Sequence, residues 1–221
     1  MIRRIANVLS PSQLTHLRQL ADRLHFQDGR ITNPDSDAKR NLQLAHSDPT
    51  ATEPGTLLRE ALFRHPSIAT YTLPRQMARP TLVRYEPGMH YGWHVDESIF
   101  PSQPPMRSDM SCTIFLSEPD EYDGGELMIQ LGAETLSYKL PAGDAVLYPS
   151  TTIHQVAAVT RGLRLVGITW FQSWVADAHR RELLIQLDEA QALEFNGNKN
   201  ERMLALLSSV RNNLFRQWAD A

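Results

Sequence analysis

Apolar residues recur along this chain in three successive rhythms. A short apolar stretch over residues 2–9 precedes Leu14, Leu17, Leu20, Ala21 and Leu24, a spacing that lines one face of a helix. Ser10-Pro11-Ser12-Gln13 supplies a capping hydroxyl, a proline at the first helical position and a glutamine that can reach back. The pattern therefore predicts a helix from Ser10 to about His25, packed on something flat. A polar tract follows over 27–54, with turn chemistry at Asn33-Pro34-Asp35-Ser36-Asp37 and Ser47-Asp48-Pro49 and a short strand-like run at 39–44. In a compact domain, so long a loop-rich stretch is more often a lid or substrate-facing element than an idle linker. A second helix is predicted over 54–64, ending before His65-Pro66 because a residue preceding proline resists helical backbone.

Beyond Thr72 the rhythm shortens to strands, predicted at 79–85, 91–95, 110–116, 126–130, 134–140, 144–148, 153–159 and 163–171. Turn signals separate them, among them Glu86-Pro87-Gly88, Asp123-Gly124-Gly125, Pro141-Ala142-Gly143 and Arg161-Gly162. With no helices between them these strands cannot form a parallel sheet, which needs long crossovers, and an antiparallel sandwich or jelly roll is the reading left. The tail returns to helical spacing. Asp177 caps a helix over about 178–192 carrying Leu183, Leu184 and Leu187, Asn196-Gly197-Asn198 breaks it, and a second helix runs over about 200–218. Leu204, Leu207, Leu214 and Trp218 form its expected buried side, packed on the sandwich or, alternatively, in a homo-oligomer. The expected fold is mainly β with flanking helices: a strand, helix and loop region over 1–77, a jelly-roll core over 78–175, and a C-terminal helical pair over 176–221.

Composition narrows the class. The 221 residues are 42% hydrophobic, enough for one substantial core. The net charge is −3 with the 22 basic residues scattered, so nothing electrostatic points to nucleic acid. A single cysteine, Cys112, excludes an intramolecular disulfide and a cysteine-based zinc site and suits a reducing compartment. The N-terminal apolar stretch is too short for a signal peptide and no run approaches a membrane span, so a soluble cytoplasmic protein with no membrane partner is expected.

The candidate chemistry begins at Arg84-Tyr85-Glu86-Pro87-Gly88-Met89-His90-Tyr91-Gly92-Trp93-His94-Val95-Asp96. Strand side chains alternate between faces, so His94 and Asp96 point the same way. His154 opens a later apolar run and completes two histidines and one carboxylate, the facial triad that leaves open positions on Fe(II). His90 shares the parity of His94 but is read as a non-ligand, because the triad is complete without it. His16 and His25 have no ligand-like neighbours and are read as surface histidines. Ten residues after His154, Arg164 is placed to hold the free carboxylate of a dicarboxylate cosubstrate, since its planar fork pairs bidentately and stays charged. Arg161 competes for that role but lies in a turn and is expected to be solvated. Tyr91 and Trp93 flank the ligands, as core residues or as walls of a substrate mouth.

These segments, with Arg107 to Leu127, Leu140 to Val156 and Thr160-Arg161-Gly162-Leu163-Arg164, resemble the bacterial PKHD-type hydroxylases over most of the chain. Those are iron(II)- and 2-oxoglutarate-dependent dioxygenases related to prolyl 4-hydroxylases. The resemblance implies a double-stranded β-helix and the cofactors Fe(II), 2-oxoglutarate and O2, with ascorbate (vitamin C) as reductant. It places iron on His94, Asp96 and His154 and 2-oxoglutarate on Arg164, with Tyr85 as a second cosubstrate contact. It also implies that His154 and Arg164 stand on opposite sheets, whereas Arg161-Gly162 read alone looks like a hairpin turn. The stretch Gly29–Asp35 departs from the shorter, small-residue segment expected of the family. The implied reaction is hydroxylation of a C–H bond in a peptide or small molecule, with release of succinate and carbon dioxide. Two other classes remain open: a non-catalytic, cupin-like metal or small-molecule binding module, in which Arg164 has no purpose, and a zinc hydrolase using the same ligands.

Overall fold

At the N-terminus the apolar stretch contributes only a three-residue strand, β1 (Arg3–Ile5), before the chain turns through Asn7 at a left-handed φ of 56°. The computed structural model describes residues 2–32, 38–45 and 47–220; the Asn33–Asp37 turn expected from the sequence lies outside them. Helix α1 (Pro11–Ala21) starts as predicted. Ser10 Oγ accepts from the Gln13 amide, and the Gln13 side chain accepts from the Ser10 amide. It ends one turn before His25. The Arg23 amide bonds back three residues to Leu20, which tightens the last turn and lets Phe26 turn inward to be buried.

The strand-like run at 39–44 forms two strands, not one. After β2 (Gln27–Asp28), strand β3 (Lys39–Arg40) joins one sheet and β4 (Leu42–Gln43) joins another, with Asn41 at the crossing. Helix α2 (Thr52–Arg64) stops at His65-Pro66 as expected, but α3 (Pro66–Thr72) follows at once with that proline at its start. Seven residues are too few to show an apolar period, so the sequence carried no sign of α3. Strand β5 (Pro74–Met77), also unexpected, then leads into the core.

The core strands are β6 (Thr81–Tyr85), β7 (His90–His94), the small hairpin β8 (Ile99–Phe100) and β9 (Met106–Arg107), and β10 (Met110–Phe115). There follow β11 (Tyr122–Gly124), β12 (Leu127–Leu131), β13 (Glu134–Tyr138), β14 (Ala145–Pro149), β15 (His154–Val156), β16 (Val159–Gly162) and β17 (Arg164–Ser173). The described strands build an eight-stranded antiparallel sheet, β1-β14-β10-β17-β6-β4-β2 with β5 also on β17, and a five-stranded one, β13-β12-β15-β7-β3. Their inner faces meet: Val83, Phe115, Val146 and Val166 of the large sheet pack with Leu127, Ile129 and Val156 of the small one. This is the expected jelly roll. The outer face of the large sheet is covered too, by Leu17 of α1 and by Leu58 and Leu62 of α2 against Leu82, Ile114, Leu147 and Leu165. Covering both faces explains why β10, β14 and β17 are buried at almost every position and not at every second one. Gly167 marks the closest approach, since a Cβ there would stand 2.9 Å from the Leu58 side chain.

The predicted strand at 153–159 divides into β15 and β16, which pairs with β11, and β17 then crosses to the large sheet. His154 and Arg164 therefore do stand on opposite sheets. At the C-terminus, Asp177 caps α4 (Ala178–Asn196) and Asn200 caps α5 (Glu201–Trp218), joined by an Arg211–Asp188 ion pair of 3.0 Å. The expectation of a buried side on α5 is corrected in degree. Leu214 and Trp218 pack on Leu73, Val175 and Leu184, but these and Leu204 and Leu207 are only half-buried, because α5 lies mainly along α4. Among the described residues no helix is long and apolar enough to cross a membrane.

Candidate metal centre

The small sheet brings the two histidines together through its register. β7 and β15 are antiparallel neighbours with His94 directly opposite His154, so both side chains leave the same face, their ring centroids 4.2 Å apart. Each Nδ1 lies against a carbonyl two residues earlier, Gly92 O at 2.8 Å for His94 and Thr152 O at 2.9 Å for His154. A carbonyl oxygen only accepts, so Nδ1 carries the proton in each ring and Nε2 presents its lone pair. Asp96 follows β7 and places Oδ1 3.8 Å from His154 Nε2. One ligand atom from each of His94, Asp96 and His154 lies within 4.8 Å of the others, a spacing that can hold a metal ion. Burial, and then the neighbouring His154, push His94 down to about 4, which leaves it neutral and ready to ligate near neutral pH.

Asp96 is oriented from the large sheet. Its Oδ2 accepts from Ser111 Oγ at 2.5 Å, and Ser111 Oγ is 2.8 Å from Ser150 Oγ. The sequence reading missed both serines. A signal existed, because Ser111 and Thr113 alternate with Cys112 and Ile114 along β10, and a polar residue repeating on the inner face of a buried strand marks a cavity with polar partners.

The strand alternation used to place His90 fails in β7. Between the His154–His94 and Val156–Tyr91 pairs, β7 spends three residues where β15 spends two. This bulge rotates Tyr91 onto the ligand face. The Tyr91 ring stacks on His94 at 3.5 Å and 11°, while His90 pairs with Arg40 and its ring reaches only toward the Gly88 carbonyl. Trp93 is 48% exposed, so its core reading is set aside. His16 is exposed and pairs with Glu53 at 2.8 Å; His25 is exposed too.

Arg164 lines the same cavity as His94, Asp96 and His154, together with Tyr85 and the apolar Leu127, Val156, Val166 and Ile168. It is 1% exposed, with Nε and Nη1 lacking any hydrogen-bond partner, and forms no ion pair among the described residues. Its guanidinium rests 4.9 Å from the Tyr85 ring and 5.8 Å from that of Phe115. Gly125 makes room for it: φ there is +67°, and a Cβ would meet Arg164 Cδ at 3.0 Å and Val159 Cγ2 at 2.9 Å. A buried cation with unmet donors beside a metal-competent triad is a receptor for an anion. Arg161, by contrast, is exposed and pairs with Asp123 at 2.6 Å. Tyr85, cross-strand from Arg164, is buried, and its hydroxyl accepts from Asn41 Nδ2 at 2.9 Å. Burial pushes that hydroxyl up, so it stays protonated. Asn41 was missed because it belongs to the segment that crosses between the sheets.

Residues 80–172 match the model of the 2OG-Fe(II) oxygenase superfamily. A PKHD-type hydroxylase of Xanthomonas euvesicatoria is 42% identical over the whole of both chains, and one of Aliarcobacter butzleri is 39% identical over the whole of both. Among solved structures, a Trichoplax adhaerens prolyl hydroxylase in complex with a hypoxia inducible factor peptide fragment has a TM-score of 0.60 at 15% identity, over 77% of this chain and 82% of that one. A Pseudomonas putida prolyl-4-hydroxylase gives 0.54 at 18%, over 77% and 92%. These two share the fold. Full-length likeness above the level at which families diverge, on a jelly roll that carries two histidines, a carboxylate and a buried arginine in one cavity, makes this chain a member of the PKHD-type hydroxylases, 2-oxoglutarate-dependent dioxygenases related to prolyl hydroxylases.

Proposed function

We propose that His94, Asp96 and His154 hold Fe(II), that Arg164 receives the far carboxylate of 2-oxoglutarate with Tyr85 beside it, and that the enzyme hydroxylates a C–H bond of a peptide or small molecule. The observation that carries this reading is the buried guanidinium of Arg164, with unmet donors in the cavity that holds the triad. When bound, iron and 2-oxoglutarate supply the oxidising chemistry: O2 is consumed, the cosubstrate leaves as succinate and carbon dioxide, and one oxygen atom enters the substrate. The chain's own residues do the rest. The carbonyls of Gly92 and Thr152 hold the imidazole tautomers, Ser111 holds the Asp96 carboxylate, and Leu127, Val156, Val166 and Ile168 keep water from the cavity walls.

A zinc hydrolase or a passive binding module would leave a buried, unpaired arginine as a pure cost. Anaerobic addition of 2-oxoglutarate to the Fe(II) protein should raise a weak visible charge-transfer band, and Arg164→Ala should remove it. Absence of both the band and succinate formation in the wild type would sink this reading. A peptide substrate is supported by the peptide complex of the Trichoplax fold relative. Residues 78–175 form the catalytic unit in this account, with 1–77 packed on it and 176–221 as a helical extension. A cytoplasmic location is supported by the lone, buried Cys112, and ascorbate is assigned as the reductant that keeps the iron ferrous. On α5, Met203, Leu206 and Val210 are each more than two-fifths exposed and form the surface through which a second copy would pair. Leu206→Asp should lower the mass measured by light scattering if it does.

A further inference from the structure

A second buried cation stands near the triad, on the segment that hops between sheets. Lys39 is 7% exposed. In the β3–β7 pair it lies directly opposite Tyr91, and opposite residues of antiparallel strands share a face. The Tyr91 ring is common to both: His94 stacks on it at 3.5 Å, and the Lys39 ammonium lies 5.4 Å from its centroid. The ammonium donates to Thr32 Oγ1 at 2.7 Å and Gln43 Oε1 at 3.3 Å, both neutral oxygens, and forms no ion pair among the described residues. Burial accordingly pulls Lys39 down to about 8, with Asp96 and Asp28 offsetting only part of that cost. Asp28 is itself paired with Arg30 at 2.6 Å. Asp96 is committed to the metal in the proposed function, on which this inference rests. There the divalent ion, Asp96, the doubly charged cosubstrate and Arg164 balance one another in charge, and among the described residues Lys39 is left over.

We propose that Lys39 is a substrate-binding residue whose ammonium takes a carboxylate of the substrate, so that the molecule hydroxylated here is an acid. Arg164 cannot serve both anions, because the cosubstrate occupies it in the proposed function and it lines the cavity with Tyr85, whereas Lys39 stands on the edge strand β3, directly across from Tyr91. The carboxylate comes from the end of a small amino-acid derivative or from an acidic side chain of a peptide, and the two are told apart by the probes below.

The test uses the full chain loaded with substoichiometric Mn(II) and saturating 2-oxoglutarate. Proton-resonance broadening of three probes is followed: N-acetylglycine, N-acetylaspartate N-methylamide, and the neutral N-acetylglycine N-methylamide. One of the two acids should bind saturably and at least about tenfold more tightly than the neutral amide. Lys39→Met should reduce that ratio to about one and Lys39→Arg should keep part of it. The Fe(II)·2-oxoglutarate charge-transfer band should persist in both variants, which shows that fold, metal and cosubstrate are intact. Equal binding of acid and amide, no saturable binding of either acid, or unchanged discrimination in Lys39→Met overturns the proposal. Loss of the band in Lys39→Met also overturns it, since Lys39 would then serve the cosubstrate. A wild type without the band fails the iron and 2-oxoglutarate reading instead.

Discussion

The two sheets divide the work of this site unequally. The large sheet is buried on both faces, and its strand β17 holds Arg164 with its charge unmet. The small sheet is wet on its outer side, with most of β13 exposed, yet each histidine it carries has its Nδ1 bound to a carbonyl. The doubly covered sheet can hold an uncompensated group because the surrounding core over-determines its position. The thinner sheet holds ligands that are already satisfied except toward the metal, and it is the side from which Lys39 and Tyr91 approach.

The largest expected effect bears on the small sheet. Asp96→Ala should abolish Fe(II) binding and succinate formation together, read by metal analysis and product assay; unchanged stoichiometry would move the site elsewhere. Next, the large sheet should dominate stability. Phe171→Ala, at a fully buried position, is expected to cost about 3–5 kcal/mol in denaturant unfolding. Leu131→Ala, 55% exposed on the small sheet, should stay within about 0.5 kcal/mol. Arg164→Met turns the contrast into an opposition: the metal-free protein should gain about 1–3 kcal/mol, because an unpaired buried charge is removed, while 2-oxoglutarate affinity collapses. A loss of stability there would mean that Arg164 already has a counter-ion.

Smaller effects test the supports. Ser111→Ala should weaken metal binding by about tenfold without changing the fold, measured by competition with a chelator. The pH dependence isolates Lys39. Its folded value of about 8 lies below the 10.5 of the free side chain, so the unfolded chain holds more protons between these values. Stability of the metal-free protein should therefore rise from pH 8 to about 10.5, by a few kcal/mol at most, and Lys39→Met should flatten that slope.

Much of this was legible in the chain. Ser10 and Asp177 cap helices where their side chains predict, since a cap involves only the next three residues. The core strands fall close to their apolar runs, and His94, Asp96, His154 and Arg164 do come together in one cavity. The family resemblance added the crossover that puts His154 and Arg164 on opposite sheets. Errors arose where a local rule met a long-range one. The run at 39–44 reads as one strand because nothing in six residues says that its halves serve different sheets. His90 shares parity with His94 until a bulge, imposed by pairing with β15, hands that face to Tyr91.

The sequence by itself determined the helix start signals, the strand rhythm and the His-x-Asp pair, because each depends on residues within a few positions. Tertiary structure alone decided that His154 sits opposite His94, that Ser111 holds Asp96, that Asn41 bonds Tyr85 and that Lys39 lies by the Tyr91 ring. Those partners lie from 15 to 60 residues apart, and which of many equally apolar strands pair is settled only when the whole core closes and every buried group must find its place.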